Sequence, residues 1–188
     1  MGVDIAHAAV RSGSSVTLLR GPATIAPDPS LGITDCRFES AAELEDLLSS
    51  HWPLHDILFM AAAVADFRPT FTPGKIRRES ALDLQAEPVP DLLAALAAGD
   101  PPWKVRIGFA LEPMEDLEAS AERKLRLKNL TGIVANPLDT LNAQTIQGFL
   151  LLDDGTKISP STAAIAKPLF AEWLVKQVLD KARTMPSS

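Results

Sequence analysis

Residues 56–78 hold the pattern that decides the fold, and they read Asp-Ile-Leu-Phe-Met-Ala-Ala-Ala-Val-Ala-Asp-Phe-Arg-Pro-Thr-Phe-Thr-Pro-Gly-Lys-Ile-Arg-Arg. The apolar run over 57–65 is typical of a parallel strand buried on both faces. Asp66 follows this run, and a Pro/Gly loop then leads to Lys75 and two arginines. In an open α/β sheet the ligand binds beyond the carboxyl ends of the strands. The stretch therefore predicts a central strand that ends beside a site for a phosphate-bearing ligand.

Helix and strand patterns alternate on both sides of this stretch. Apolar periodicity, capping residues and β-branched runs predict these elements: helix 2–12, strand 15–20, strand 33–38, a helix capped by Ser40, strand 56–64, helix 90–99, strand 104–111, helix 115–128 and strand 132–136. Such a series predicts an α/β fold, a Rossmann-like open parallel sheet flanked by helices.

The last forty residues depart from this alternation. Asp154-Gly155 lies between apolar runs, which predicts an antiparallel hairpin with a type I′ turn near the C-terminal end. Pro168 is expected to begin the last helix, with Phe170, Leu174 and Val178 on its buried face. We interpret residues 1–188 as a single nucleotide-binding domain.

Charge and cysteine usage restrict the function classes. A net charge of −6 argues against a general nucleic-acid binder. Eight of the 18 Lys and Arg residues nonetheless fall in the short segments 68–78 and 123–128, which favours a small anionic ligand. Cys36 is the only cysteine, and no apolar stretch reaches the ~20 residues of a membrane span. We expect a cytoplasmic protein with a packed thiol at Cys36.

Small and acidic residues follow the predicted central strand. Ala62 and Ala63 would let a base or ribose reach the backbone, and Asp66 would accept hydrogen bonds from sugar hydroxyls. The alternative is that the alanines serve tight packing and that Asp66 caps a turn. Both interpretations stay open on these residues alone.

Three lysines are the candidate phosphate ligands. Lys75 follows Thr72-Pro73-Gly74 and would close over bound phosphates on a flexible loop. Lys124 and Lys128 lie four residues apart and therefore share one helical face. The alternatives are a solvated loop lysine at Lys75 and, for the helical pair, a solvated face that pairs with Glu122.

Several familiar chemistries lack their motifs. The three histidines lack metal-ligand spacing, and we assign no metal-ligating residue. The sequence has no Gly-x-Ser-x-Gly elbow, no Gly-x-Gly-x-x-Gly fingerprint and no Walker loop. Hydride transfer and P-loop hydrolysis lose support.

Seven segments occur in an order that resembles one family. They are Ala61-Ala-Ala-Val-Ala-Asp-Phe67, Gly74-Lys-Ile-Arg-Arg78, Pro90-Asp-Leu-Leu93, Ile107-Gly-Phe-Ala-Leu-Glu112, Lys124-Leu-Arg-Leu-Lys-Asn129, Ile133-Val-Ala-Asn136 and the closing hairpin. Together they resemble the phosphopantothenoylcysteine synthetases of coenzyme A biosynthesis, the nucleotide-activating half of the bacterial bifunctional decarboxylase/synthetase.

The resemblance implies an amide-forming ligase that uses CTP and Mg²⁺. The carboxylate of 4′-phosphopantothenate would attack the α-phosphate of CTP, giving an acyl cytidylate and pyrophosphate, and the amine of cysteine would then displace CMP. It assigns nucleoside binding to Ala62, Ala63, Asp66 and Phe109, triphosphate binding to Lys124 and Lys128, and the reacting phosphate to Lys75, with Asn136 as a neighbour. It also implies a homodimer and a fusion to, or association with, a decarboxylase.

One departure concerns the first residues. The family begins with a strand, a Gly-rich phosphate loop and an Asn-x-Ser-Ser-Gly-Lys segment, and Met1-Gly2 matches only the dipeptide after it. We therefore expect an N-terminally truncated domain. Two alternatives follow: a catalytically deficient nucleotide-binding module or regulatory subunit of that family, and an NAD-dependent oxidoreductase of Rossmann type.

Overall fold

The computed structural model describes residues 1–22, 25–62, 64–65, 67–69 and 86–186. Its α-helices alternate with strands as the sequence predicts, and each predicted helix is present within a few residues of the expected bounds. They are α1 Gly2–Arg11, α2 Ala41–His51, α3 Leu92–Ala97, α4 Leu117–Leu127 and α5 Lys167–Arg183.

The strands of the described residues are short apart from β6 and β7. They are β1 Thr17–Arg20, β2 Thr34–Arg37, β3 Ile57–Phe59, β4 Phe67–Pro69, β5 Ala86–Pro88, β6 Val105–Glu112, β7 Gly132–Pro137, β8 Thr145–Ile146, β9 Phe149–Leu152, β10 Lys157–Ile158 and β11 Ile165–Ala166.

The principal sheet has five strands in the order β10-β9-β7-β6-β3. β3, β6 and β7 run parallel, β9 runs antiparallel to β7, and β10 closes the hairpin with β9. β1 and β2 form a separate parallel pair, whereas β4 with β5 and β8 with β11 form antiparallel pairs. The predicted fold class, an α/β sheet rich in parallel strands with a hairpin at one edge, is confirmed.

Helices cover both faces of this sheet because alternate residues of each strand point to opposite sides. On one face, Val105, Ile107, Val134 and Leu150 pack with buried residues of α1 and α5. On the other face, Ala110, Ile133, Ala135 and Leu151 pack with α3 and α4. All six residues of β7 are buried, which is the pattern of a strand covered on both faces.

The prediction of a central buried strand over 56–64 is wrong in extent and position. β3 covers only Ile57–Phe59, its residues are half-buried, and it is an edge strand of the five-stranded sheet. Within the described part of the chain, its outer side faces a cavity of about 430 Å³ that separates it from β1, which we call the inter-sheet slot. α1 and α5 also line the slot, through residues that include Ile5, Ala9, Val175 and Leu179.

The hairpin between β9 and β10 forms, but its predicted type I′ turn is wrong. That turn requires positive φ at both central residues, whereas Gly155 alone has it within the loop, with φ 84°. The Gly155 N–H donates to the Leu152 carbonyl (3.0 Å), and the Asp154 carboxylate accepts from the Thr156 N–H (2.9 Å). The glycine therefore supplies the left-handed residue of a three-residue loop.

A buried polar cluster anchors the beginning of β6. The Trp52 indole N–H donates to Asp100, and the Arg106 guanidinium forms an ion pair with the same carboxylate. Lys104 Nζ donates to the Trp52 carbonyl at 2.6 Å and lies 4.2 Å from the centre of its ring. The Asp100 and Arg106 side chains are 9% and 8% exposed, so this ion pair is shielded from water.

No helix within the described residues is both long and apolar enough to span a membrane.

Candidate functional site

A cavity of about 310 Å³ lies on the face of the sheet that α3 and α4 cover, and we call it the α3–α4 cavity. Its walls come from the segment after β3, from 89–93 at the start of α3, from β6 and from α4. The inter-sheet slot is larger, but the described polar side chains that line the α3–α4 cavity include two lysines and a carboxylate. Charge and position therefore make the α3–α4 cavity the better candidate for an anionic ligand.

Four of the predicted site residues line the α3–α4 cavity: Ala62, Phe109, Lys124 and Lys128. They come from three separate elements, so the fold brings together residues up to 66 positions apart in the sequence. Ala63, Asp66 and Lys75 lie outside the described residues. Their predicted roles stay predictions.

Lys124 is held at the cavity by Glu112. Its Nζ donates to Glu112 Oε1 at 2.7 Å, and Ser120 Oγ donates to the same oxygen at 2.9 Å. The hydrogen bond from Lys124, followed by that from Ser120, lowers the pKa of Glu112 below its ordinary value. The carboxylate is therefore ionised at neutral pH and ties α4 to the end of β6.

Lys128, which also lines the cavity, is paired with Asp91. Its Nζ lies 3.0 Å from Asp91 Oδ2, while Asp91 Oδ1 accepts from the Ala94 N–H at 3.1 Å and caps α3. Lys128 ends α4, and Asn129 follows in the left-handed conformation with φ 47°, as is common after a helix. Each cavity lysine thus has an acidic partner from a different element.

The alternative in which these lysines pair with Glu122 does not hold, because Lys124 pairs with Glu112 and Lys128 with Asp91. Glu122 instead pairs with Arg126, one turn further along the exposed face of α4. Arg126 is four positions from Glu122 and lies next to it on the helix, whereas Lys124 and Lys128 are two and six positions away and face elsewhere.

Close packing forms the floor of the α3–α4 cavity at Gly108. A Cβ at this position would lie 2.7 Å from Leu130 Cδ1 and 3.4 Å from Leu93 Cδ2. The next residue, Phe109, lines the cavity while its ring packs with the α1 and α5 face. The alternation along β6 therefore leaves mainly the backbone of Phe109 to meet a ligand.

The antiparallel pair β4–β5 brackets the segment that contains Lys75 in the sequence. β4 begins two residues after Ala65, and α3 begins four residues after β5, so both strands connect directly to segments that line the cavity.

Asn136 is the second-last residue of β7, is 9% exposed, and donates to Thr140 Oγ1 at 2.6 Å. It does not line the α3–α4 cavity. Cys36 is half-buried with its Sγ 3.8 Å from His51 Nε2, which agrees with a partly packed thiol.

The described residues fit a polyanionic ligand better than a metal held by protein side chains. Among them, no three His, Cys, Asp or Glu side chains come close enough to bind an ion. Two ammonium groups at a cavity rim suit phosphate oxygens, and Mg²⁺ usually keeps waters and binds through phosphates. The two lysines therefore suit an anionic ligand with phosphate groups.

An open α/β sheet with helices on both faces, and with a lysine-lined cavity on one of them, has the architecture of a Rossmann-like domain. Residues 1–181 match the model of one family, described as the DNA/pantothenate metabolism flavoprotein C-terminal domain. The chain belongs to this family, and the resemblance found in the sequence is confirmed.

Curated relatives extend the comparison. The chain is 30% identical over 190 residues to the coenzyme A biosynthesis bifunctional protein CoaBC of Vibrio vulnificus (strain CMCP6), covering 98% of this chain and 46% of the relative. It is 35% identical over 170 residues to CoaBC of Mycobacterium tuberculosis (strain ATCC 25618 / H37Rv), covering 83% and 40%. It is 38% identical over 141 residues to a cysteine/cysteine sulfinic acid decarboxylase of an unknown prokaryotic organism, covering 73% and 38%. The chain therefore spans less than half the length of these relatives.

Solved structures share the fold. The C-terminal domain of a CoaBC bifunctional protein superposes with a TM-score of 0.71 at 27% identity, covering 96% of this chain and 79% of that one. A Cab2 mutant in complex with phosphopantothenate-cysteine gives a TM-score of 0.75 at 16% identity, covering 97% and 77%, which shows the fold alone. These similarities leave the NAD-dependent oxidoreductase alternative without support.

Proposed function

We propose that this domain is a phosphopantothenate–cysteine ligase of coenzyme A biosynthesis. The observation that carries the proposal is the convergence of Ala62, Phe109, Lys124 and Lys128 on the α3–α4 cavity of a chain that belongs to the pantothenate-metabolism family. Relatives named for coenzyme A biosynthesis, and a structural neighbour complexed with phosphopantothenate-cysteine, support the substrate class.

The proposed reaction has two steps. A carboxylate oxygen of 4′-phosphopantothenate attacks the α-phosphorus of CTP, the bond to the bridging oxygen breaks, and pyrophosphate leaves. The amine of cysteine then attacks the acyl carbon, CMP leaves with the bonding electrons, and the amine loses a proton. The product is an amide.

The chain's own residues would bind and orient the nucleotide. Lys124 and Lys128 would hold the triphosphate, because each lies at the cavity rim with its ammonium group fixed by a carboxylate. Ala62 and the backbone of Phe109 would contact the nucleoside. We further propose that Ala63 and Asp66 bind the nucleoside and that Lys75 stabilises charge on the reacting phosphate.

Mg²⁺ would be the cofactor and CTP the activating substrate. Lys124 and Lys128 are already paired with carboxylates, so they would leave part of the negative charge of the triphosphate unbalanced. Mg²⁺ bound through the phosphates would offset that remaining charge. We also propose that the protein is a cytoplasmic homodimer. The CoaBC relatives are named as bifunctional proteins, which supports the proposal that this domain works with a decarboxylase.

Pyrophosphate release tests the proposal. The chain is mixed with CTP, Mg²⁺ and 4′-phosphopantothenate, and released pyrophosphate is measured before and after cysteine is added. Release that depends on phosphopantothenate, followed by CMP when cysteine arrives, supports the ligase. Tight CTP binding without pyrophosphate supports a regulatory or nucleotide-binding module instead.

Lys75→Gln tests the proposed catalytic group. It should retain CTP binding but abolish pyrophosphate release, because charge on the reacting phosphate then has no partner. Unchanged turnover would remove Lys75 from the mechanism.

A further inference from the structure

Glu112 lies at the point where β6 ends and α4 covers the sheet. Gly108 and Ala110 point to the same face of β6, and that face carries the α3–α4 cavity. Glu112 Oε1 accepts hydrogen bonds from Ser120 and from Lys124, which lie one turn apart on α4. One oxygen therefore fixes two positions of a single helix.

The surroundings of the pair distinguish it from an ordinary surface ion pair. The Glu112 and Lys124 side chains are 26% and 28% exposed, whereas Arg126 and Glu122 on the outer face of α4 are 74% and 48% exposed. Long side chains lose much rotamer freedom when a ligand immobilises them. A lysine that is already fixed loses less when the ligand arrives.

We propose that Glu112 is a positioning residue that holds the Lys124 ammonium group at the α3–α4 cavity for the phosphates of a nucleoside triphosphate. The ammonium group has three N–H donors, so it can keep Glu112 while it donates to phosphate oxygens. Lys128 pairs with a different carboxylate, Asp91. The two lysines are therefore held by separate acidic partners, Glu112 at the end of β6 and Asp91 at the start of α3.

This inference rests on the proposed function, and calorimetry with CTP, CMP and Mg²⁺ tests both. Glu112→Gln keeps the size of the side chain but removes the charge that fixes Lys124. We expect CTP binding to weaken about fivefold and CMP binding to change less than about twofold. Glu122→Gln, which removes a carboxylate from the exposed pair on the same helix, should leave both affinities unchanged.

A double-mutant cycle separates positioning from a general structural effect. In a Lys124→Ala background, Glu112→Gln should cause no further loss of CTP affinity, because the group that it positions is absent. A second, equal loss in that background would overturn the proposal, as would an unchanged CTP affinity in the single variant.

Lysine labelling provides a readout that needs no nucleotide. Acetic anhydride should acetylate Lys124 about threefold faster in Glu112→Gln than in the unmodified chain, because the amine is no longer held by the carboxylate. Lys176, which pairs with Asp180 on α5, should label at the same rate in both. An unchanged Lys124 rate overturns the positioning role, whereas lack of CTP binding by the unmodified chain overturns the proposed function alone.

Discussion

Lys128 Nζ lies 3.0 Å from Asp91 Oδ2 and thereby joins the end of α4 to the beginning of α3 at the α3–α4 cavity. The same carboxylate caps α3 through the Ala94 N–H. Asp91 thus combines two tasks, and substitutions can separate them.

Asp91→Ala should lower the free energy of unfolding by about 1 kcal/mol, because it removes the N-cap of α3. Asp91→Asn should cost less than about 0.5 kcal/mol, because asparagine caps helices as well as aspartate does. Urea denaturation of the two variants measures the difference. Equal losses would mean that the ion pair, not the cap, supplies the stability.

The lysine pair itself should discriminate by phosphate charge. Lys124→Ala combined with Lys128→Ala should weaken CTP binding at least about tenfold more than CMP binding, because the lysines would meet the triphosphate. Calorimetry with both nucleotides provides the measurement. Equal losses for CTP and CMP would contradict the proposed contacts.

Much of the fold could be predicted from local sequence because its signals are local. The β7 run is apolar apart from Asn136 and is buried throughout. Ser40 Oγ accepts a hydrogen bond from the Glu43 N–H at 3.2 Å, as a capping residue should. By contrast, the extent of β3 depends on a neighbouring strand. The sequence pattern predicted a strand of nine residues, whereas only the three residues Ile57–Phe59 form a strand, and they lie beside the inter-sheet slot.

The basic residues of the site could be predicted from the sequence, but the acidic residues that pair with them could not. Lys124 and Lys128 share a helical face by spacing alone, and both line the α3–α4 cavity. Their partners Glu112 and Asp91 are 12 and 37 positions away, and only the packing of β6, α3 and α4 brings them near. The sequence placed Pro90-Asp91 at the start of a predicted helix and Glu112 just after a predicted strand, but it did not predict that Asp91 and Glu112 form ion pairs with the lysines.

The buried ion pair between Asp100 and Arg106 should be important for stability. Asp100→Asn leaves the guanidinium inside the protein without a full counter-charge, so the free energy of unfolding should fall by about 3 kcal/mol. Glu122→Gln breaks the exposed pair with Arg126 and should cost less than about 0.5 kcal/mol. Urea denaturation measures the free energy of unfolding of both variants. Similar small losses in the two variants would show that water reaches the Asp100–Arg106 pair.

The inter-sheet slot should tolerate added volume. Ala9→Leu places an apolar side chain into the slot and should raise the free energy of unfolding by about 1 kcal/mol. Ala8→Leu is the matched control, because Ala8 is 2% exposed within the core and does not line the slot. It should destabilise by about 1–3 kcal/mol through overpacking. A loss of stability in both variants would show that the slot is too narrow for the leucine.

Protonation of Glu112 should couple stability to pH in a defined direction. The hydrogen bond from Lys124, with a smaller effect from that of Ser120, holds the pKa of Glu112 below its ordinary value of 4.5 in the folded chain. In the unfolded chain both hydrogen bonds are absent, and the pKa returns to the ordinary value. The unfolded state therefore binds more protons between the two pKa values, and stability falls there as pH falls. The contribution is fully present above about pH 4.5 and is lost as pH passes through the lower, folded pKa.

Glu112→Gln cannot titrate, so the stability difference between it and the unmodified chain should be largest near neutral pH and shrink below about pH 4. Ser120→Ala removes one of the two hydrogen bonds on Glu112 Oε1 and should raise the folded pKa of Glu112 towards its ordinary value, so that the fall in stability becomes smaller and ends at higher pH. Urea titrations of the three proteins across this range make the measurement. A stability difference that stays constant from neutral pH to about pH 3.5 would mean that the carboxylate is not ionised against Lys124, and the positioning of that lysine would need another source.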